Sequence, residues 1–565
     1  MVTNILESII GEQFKELGYN NQITIKKSNK PDLCDYQCDD IFKIAKENHT
    51  NPIEIGEKIV EKINKIEKFS KYFDKVEFCK PGFINITLSN EFINEILTKM
   101  NNSPKFGLNK PDKQETFVID YGGYNIAKPL HIGHLRPTII GESSKRIIKY
   151  KGHNVIADVH LGDYGLQMGQ VIYGIKRDNI KTEEITIDYL NKIYPEISGL
   201  CKENEEIKEK CATITKELQE GNKEYKIIWD KILEVSIEDA KSICNYLGVS
   251  FDLWEGESDA YKYLPDTEKI LKEKNLLELS EGALVVNVKK ETDNKPMPPM
   301  MFKKSNGAYV YDSTDLATIL ERKQKFNPDH IIYVTDFRQN LHFEQVFRVS
   351  DLADIIPYNS LEHAYNGTIN GTDGKPFKTR AGNAPKLGEL FNLVKETFLS
   401  LKETNKDMKD SDIDKIVNAI IKFADLQNGR DKDYIFDVLK FSQVVGKTGP
   451  YILYTYLRFN KIINNEKTIY NLSNNIYNVV DRKLRLKILE FDEAIDKAFN
   501  ERMPSYIADY IYNLAVSANN FYQNNHIANC DNEENKNDWL YIISLTNNIL
   551  KEMLSLIAID IPTIM

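Results

Sequence analysis

The sequence predicts an α/β protein whose central parallel sheet is preceded by an α+β unit and followed by an all-α unit. Three observations lead there. The run ETFVIDYG (115–122), apolar residues at helical spacing (Leu135, Ile139, Ile140, Ile147, Ile148) and the run NVIADV (154–159) spell strand, helix, strand. Two strands joined by one crossover helix lie parallel. From about residue 395 to the end, helical patterns continue with almost no strand signal. The length of 565 residues exceeds one compact domain, and at roughly 150 residues per domain three to four units are expected.

Taken in order, residues 1–114 form a first α+β unit. MVTNILESIIGEQFKEL reads as an amphipathic helix, Ile55 to Phe69 as another, and KVEFCKPGFINITL as two apolar runs turning at Pro81 and Gly82. SPKFGLNKPDK (103–113) is a linker. Residues 115–395 carry the sheet, which GALVVNV (282–288), AYVYDS (308–313) and HIIYVTD (330–336) are predicted to resume. Between its halves, at about 175–270, Lys and Glu recur at i,i+4 spacing, as in an inserted helical segment with solvated faces. Residues 396–445 read as a helical connection and 446–565 as the closing helical unit. There Tyr451, Tyr454, Tyr456, Phe459, Tyr506, Tyr510, Phe521 and Tyr522 read as core, with one or two left to stack on unpaired bases.

Composition excludes several classes of function. Hydrophobic residues at 41% and charged residues at 28% suit a globular chain, not a disordered one. Lys+Arg of 74 against Asp+Glu of 84 gives a net charge of -10, which excludes coating nucleic acid through bulk positive charge. Local basic surfaces remain open, namely the 371–383 loop and the run DRKLRLK (481–487). No apolar run approaches the roughly 18–20 residues of a membrane span, and the first residues lack the basic start and apolar block of a secretory signal. Seven scattered cysteines argue against a disulfide framework, so the cytoplasm is the expected compartment. Cys34 and Cys38, with His49 nearby, lack a second close pair, so no structural zinc is expected.

The densest chemistry is YNIAKPLHIGH (124–134). His131 and His134 bracket Gly133 where a loop meets a helix N-terminus, and such a terminus attracts phosphate through unpaired N–H groups and its dipole. Two imidazoles add donors, a glycine admits a flat ring, and Lys128 adds a full positive charge. A second cluster, GTDGKPFKTRAGN (371–383), brings Lys375, Lys378 and Arg380 into one glycine-rich loop. Either alone could be surface decoration; together they describe a nucleotide phosphate site. His153, His330 and His363 belong to no motif and read as structural or surface residues.

HIGH at 131–134 followed by a late basic loop resembles the class I aminoacyl-tRNA synthetases. More specifically, NIAKPLHIGHLRPTIIGES, HLGDYGLQMGQ (160–170), DLATIL (315–320), RQNLHFEQVF (338–347) and TGPYILYTYLR (448–458) resemble arginyl-tRNA synthetase, as do PGFINI and YIADYIYNLAVSANNFY (506–522). These matches run in order from about residue 80 to the terminus. There are departures. Tyr164 stands where the family usually has Trp, and Pro137 where it commonly has Ser, a place expected in the first helical turn where proline is tolerated. Where the family often reads KMSTRxGN, Pro376 to Asn383 leave its first lysine displaced to Lys375 at best. Family members without that lysine use one just before HIGH, the place of Lys128.

The resemblance implies a Rossmann-like catalytic domain with a helical insertion, an N-terminal tRNA-contacting domain and a C-terminal anticodon-binding domain. It implies an arginine-tRNA ligase using ATP with accompanying Mg²⁺, with L-arginine and tRNA(Arg) as partners, no membrane, and a monomeric state. His131 and His134 would donate to phosphate oxygens, Gly133 would admit adenine, and Lys128, Lys378 and Arg380 would stabilise the leaving pyrophosphate. His160, Gly162, Asp163 and Gln167 follow the second strand and would border nucleotide and amino acid, with His342 and Phe343 at the adenosine. A planar guanidinium requires carboxylate acceptors, for which Asp120 and Asp315 are candidates, with Tyr311 beside them. Asn125 and Gln339 would hold the amino-acid backbone end. The alternatives are a class I synthetase for another amino acid, a catalytically silent tRNA-binding paralogue, and a nucleotidyltransferase of the same fold.

Overall fold

The computed structural model describes residues 1–378, 384–401, 408–466 and 472–565. Met1–Lys110, Ile452–Lys497 and Asp509–Met553 build one compact unit. Pro111–Tyr451, with Ala498–Ala508 and Leu554–Met565, builds the other.

In the first unit, strands β1 (Lys26–Lys27), β2 (Tyr36–Cys38), β3 (Phe73–Cys79) and β4 (Phe83–Leu88) form an antiparallel sheet in the order β1-β2-β4-β3. The β3–β4 hairpin is the predicted KVEFCKPGFINITL. Helix Pro52–Lys65 starts where Asn51 accepts a hydrogen bond from the Ile53 N–H, and helix Asn90–Asn101 where Ser89 accepts one from the Phe92 N–H. Cys38 is fully buried, and burial pushes its thiol up to about 12, so it behaves as a small hydrophobe.

The run DRKLRLK lies on helix Val479–Ile488 and is not a basic surface. Arg485 is 0% exposed; its Nε meets Asp481 at 2.6 Å and its Nη1 donates to Asn94 Oδ1 at 2.7 Å. Arg482 donates to Asp35 at 2.6 Å and to the Leu88 carbonyl at 2.9 Å, and Lys487 pairs with Glu490 at 2.9 Å. Arg482 and Arg485 join the closing helices to the first 110 residues, so the two arginines of the run are turned inward while Lys483 is exposed. The sequence hides this because Asp35, the partner of Arg482, and Asn94, the second partner of Arg485, lie 447 and 391 residues away. In the aromatic stripe Phe459, Tyr510 and Phe521 are buried core, whereas Tyr454 is exposed.

In the second unit, β5 (Thr116–Tyr121) and β6 (Asn154–Asp158) flank helix Ile132–Lys151, as predicted. Helices Leu166–Arg177, Ile187–Glu203, Glu205–Gln219 and Lys223–Tyr246 follow as the insertion, with exposed pairs such as Glu206–Lys210 at 2.8 Å. Next come β7 (Leu277–Ser280), β8 (Ala283–Val286) and β9 (Met300–Lys303), then β10 (His330–Val334) and β11 (Leu361–His363). The parallel sheet has the order β11-β10-β5-β6, and β5 is buried from Phe117 to Tyr121, as suits a strand covered on both faces.

Two expected strands are absent from that sheet. GALVVNV forms β8 of a separate antiparallel sheet, β7-β8-β9. Glu281 and Gly282 both have positive φ (48° and 81°), the two-residue turn that folds β7 directly onto β8, and a local hairpin needs no long crossover. AYVYDS runs into helix Tyr311–Phe326 instead, because Ser313 Oγ accepts the Val310 N–H at 2.8 Å and starts the helix. Among the described residues no helix is long and apolar enough to cross a membrane.

Candidate active site

β5 ends at Tyr121, and Gly122 and Gly123, with φ of 94° and 59°, turn the chain in the left-handed region that suits glycine. The loop returns to His131, the N-cap of helix Ile132–Lys151. The two histidines cap this helix for each other. His131 Nδ1 accepts the Gly133 N–H at 3.0 Å, and His134 Nδ1 accepts the His131 N–H at 3.1 Å. With both Nδ1 atoms accepting, the network assigns the ring proton of each histidine to Nε2. Burial holds His134 down at about 3 and also lowers His131, which the Lys128 charge depresses further. Both rings are therefore neutral Nε2–H donors at a helix N-terminus. A Cβ on Gly133 would lie 2.8 Å from His131 Cε1, so only glycine lets that ring fold back over the helix start.

A cavity of about 530 Å³ opens at the carboxyl ends of β5, β6 and β10. Of the residues chosen from sequence, Asp120, Asn125, His131, Gly133, His134, His160, Gly162, Tyr311, Asp315, Gln339 and Phe343 line it. Asp315 stands in the first turns of helix Tyr311–Phe326. Its Oδ2 receives the His342 Nε2–H at 2.5 Å, and its Oδ1 lies 3.8 Å from His160 Nε2. His342 also donates from Nδ1 to Asp312 at 2.7 Å. The two carboxylates outweigh burial and raise His342 to about 9, so it is an imidazolium at neutral pH. The ring of Tyr311 stacks on it at 4.5 Å. His342 thus holds Asp315 instead of lining the cavity.

Asp120 is differently placed from its sequence role. Its Oδ2 already pairs with a guanidinium of the chain itself, Arg322 Nη2, at 2.6 Å, and the same nitrogen meets Asp158 at 2.8 Å. Asp163 also turns away from the cavity: Oδ1 accepts the Ser258 N–H at 3.0 Å and Oδ2 its hydroxyl at 2.6 Å. Gln167 donates to the Gly162 carbonyl at 2.5 Å. Gly162 in turn bonds backbone to backbone with Tyr124 and Ile126, and a Cβ there would meet Asn125 Oδ1 at 2.7 Å. Lys128 Nζ sits over the ring of Tyr194 at 4.7 Å. Lys375 and Lys378 are exposed and are not among the lining residues, while Arg380 lies outside the described residues.

Comparison with known proteins meets this site with a family. Residues 93–438 match the model for the catalytic domain of class I tRNA synthetases (R), 2–88 that for the arginyl tRNA synthetase N terminal domain, and 452–565 that for the DALR anticodon binding domain. The chain belongs to the arginyl-tRNA synthetases. An arginine–tRNA ligase of Alkaliphilus oremlandii is 40% identical over 581 residues, covering 99% of this chain and 98% of the relative. One of Agathobacter rectalis is also 40% identical, covering 99% of each. The arginyl-tRNA synthetase of Plasmodium falciparum superposes with a TM-score of 0.83 at 27% identity, over 100% of this chain and 99% of that one. The Thermus thermophilus arginyl-tRNA synthetase shares the fold, with a TM-score of 0.82 at 20% identity over 100% of both chains.

The synthetase's cavity also has walls that no motif announced. Glu257 lines it with no ion pair among the described residues, and burial raises its carboxyl to about 7, helped by Asp163 and Asp315. It lies in WEGESDAY, at the edge of the charged insertion, where one more acid carries no signal. Tyr333, Thr335, Asp336 and Arg338 follow from β10, and only the position after a parallel strand could have suggested them. Gln339 Oε1 is buried without a hydrogen-bond partner among the described residues. Pro137 is not in the first helical turn but inside the helix, at its sixth residue, where it offers no N–H to the Gly133 carbonyl. Tyr164, in the family's Trp place, packs edge-on against Trp229 and Tyr261. Of the unassigned histidines, His153 stacks on Phe499, His330 stacks on Phe117, and His363 Nε2 shares a hydrogen bond with Thr335 at 2.7 Å.

Proposed function

We propose that this synthetase joins L-arginine to ATP as arginyl-adenylate, releases pyrophosphate, and passes arginine to the 3′ end of tRNA(Arg). The observation that carries this is one cavity with two neutral imidazole donors on one wall and the carboxylates Asp315 and Glu257 on another. A guanidinium bound by Asp315 and Glu257, beside the Tyr311 ring, would find acceptors for its fork of donors. The unpartnered Gln339 Oε1, with Asn125, suits the α-ammonium. Attack by the arginine carboxylate on the α-phosphorus needs no base, since the nucleophile is already an anion. His131 and His134 stabilise the charge spreading over phosphate oxygens through Nε2–H, in a site where positioning and preset donors do most of the work. Lys128, after leaving Tyr194, together with Lys375, Lys378 and Arg380, is assigned to the pyrophosphate.

Mg²⁺ is assigned to ATP itself. Among the described residues Asp120, Asp158 and His160 bring ligand atoms within 4.8 Å of one another, but the Arg322 guanidinium already occupies both carboxylates and the group does not fit a cation. A monomeric, cytoplasmic enzyme remains part of the proposal. A guanidinium-lacking substrate leaves Glu257 unmatched and Asp315 with His342 and no substrate partner, so rejection of ornithine or citrulline by about 10⁴-fold is expected without an editing domain.

The test is amino-acid-dependent ATP–pyrophosphate exchange with tRNA present, followed by tRNA charging. Arginine alone should support both; activity with a different amino acid, or none, would overturn the proposal. The Glu257 carboxyl adds a pH signature. Arginine requires its ionised form, so arginine affinity is constant above about pH 7 and falls up to tenfold per unit below it. Glu257→Gln should weaken arginine binding about 10- to 100-fold at pH 8 and flatten that dependence. A variant retaining the slope would remove Glu257 from the pocket.

A further inference from the structure

We propose that Arg136 is a positioning residue for amino-acid activation: its guanidinium sets the spacing between the His131–His134 turn and the strand that leads to Lys375 and Lys378. The inference rests on the ligase function proposed above. Arg136 does not line the cavity. It is 2% exposed, and its Nε lies 3.0 Å from Asp425, which is fully buried at the end of helix Asp410–Leu426. Its remaining nitrogens reach the turn that follows: Nη1 donates to the Lys432 carbonyl at 2.6 Å and Nη2 to the Gly429 carbonyl at 3.3 Å. The Tyr434 ring covers the guanidinium at 5.2 Å.

That turn is continuous with the base of the basic loop. Tyr434 and Ile435 pair in parallel with Ile369 and Asn370, the Gly367 N–H donates to the Arg430 carbonyl at 2.8 Å, and the Thr368 N–H to Asp433 at 2.7 Å. A Cβ on Gly367 would lie 2.7 Å from the Lys432 carbonyl, so the two segments touch backbone to backbone. Ile369 then accepts the Phe377 N–H at 3.0 Å, one residue before Lys378. On the other side, Arg136 stands two residues after His134 on the same helix. One side chain therefore spans from the helix of the imidazole donors to the turn paired with the strand that leads to the lysines.

A further tie between these regions among the described residues runs through the backbone, where the Ile132 N–H donates to the Pro385 carbonyl and the Leu387 N–H to the Leu130 carbonyl. A buried ion pair is seldom more stabilising than apolar residues of equal volume. The Arg136–Asp425 pair is better explained by geometry: a rigid fork meets one carboxylate and two carbonyls at once, as no apolar chain or lysine could.

Two variants of the full chain test this. Arg136→Met with Asp425→Leu removes both charges and orphans neither. Arg136→Lys keeps a cation beside Asp425 but cannot reach both carbonyls. Thermal midpoint, arginine KM and exchange kcat are measured for each, with tRNA present. The expected result is a folded protein, arginine KM within about threefold of wild type, and kcat reduced about 10²-fold, as a misplacement of about 1 Å would cause, with the lysine variant less affected than the double variant. Wild-type kcat in the folded double variant would overturn the proposal. So would a loss of kcat no larger than the unfolded fraction at the assay temperature accounts for. If wild type activates another amino acid, the ligase proposal falls while the same split is read with that substrate.

Discussion

Replacing His134 with alanine should lower the kcat of arginine activation about 10²- to 10³-fold, the usual cost of one preset donor to a developing oxyanion. Arginine KM should stay within a few-fold, because the proposed site sets His134 against phosphate and not the guanidinium. The mutual cap separates chemistry from folding. His134 Nδ1 holds the His131 N–H at 3.1 Å, so alanine also costs the helix start about 1 kcal/mol, visible as a small drop in thermal midpoint. His134→Asn can restore that acceptor without placing an Nε2–H over the phosphate. It should recover stability but little kcat. Because burial holds His134 at about 3, no loss of rate between pH 6 and 8 should trace to its protonation. Equal loss in kcat and arginine binding would contradict the phosphate role.

Replacing Asp315 with alanine should raise arginine KM on the order of 10³-fold, since removing one partner of a desolvated ion pair costs about 3–5 kcal/mol. The structure sharpens this beyond a missing charge. Asp315 is held in place by the imidazolium of His342, whose other nitrogen is tied to Asp312. Alanine therefore also leaves His342 with one carboxylate instead of two, lowering its value from about 9. Asp315→Asn keeps the shape but turns a donor toward the guanidinium, and should lose nearly as much. Arginine KM in exchange at saturating ATP and tRNA is the measurement; an unchanged value would take Asp315 out of the pocket.

Much of the site was legible because its signals are local. Two histidines three apart at a helix start, a glycine between them and an aspartate one turn into another helix act within a few residues of each other, and patterns of that span survive in sequence. Misplaced features had competing local causes. GALVVNV looked like a parallel strand, but the Glu281–Gly282 turn folds it into a hairpin. AYVYDS alternated like a strand until Ser313 capped a helix.

Charge pairing was not legible. Asp120 looked like an acceptor for a substrate guanidinium, and DRKLRLK like a basic surface, because a sequence shows charges without their partners. Arg322 lies 202 residues from Asp120, and Asp35 lies 447 residues from Arg482. Taken alone, the sequence determined the order of the domains and the helix start that presents two imidazoles. Only the tertiary structure decided which charges are spent inside the protein and which, such as Glu257, face the cavity. The reason is that helix and cap signals are set by neighbours along the chain. A buried charge, by contrast, must be matched by whichever group the fold brings within about 3 Å.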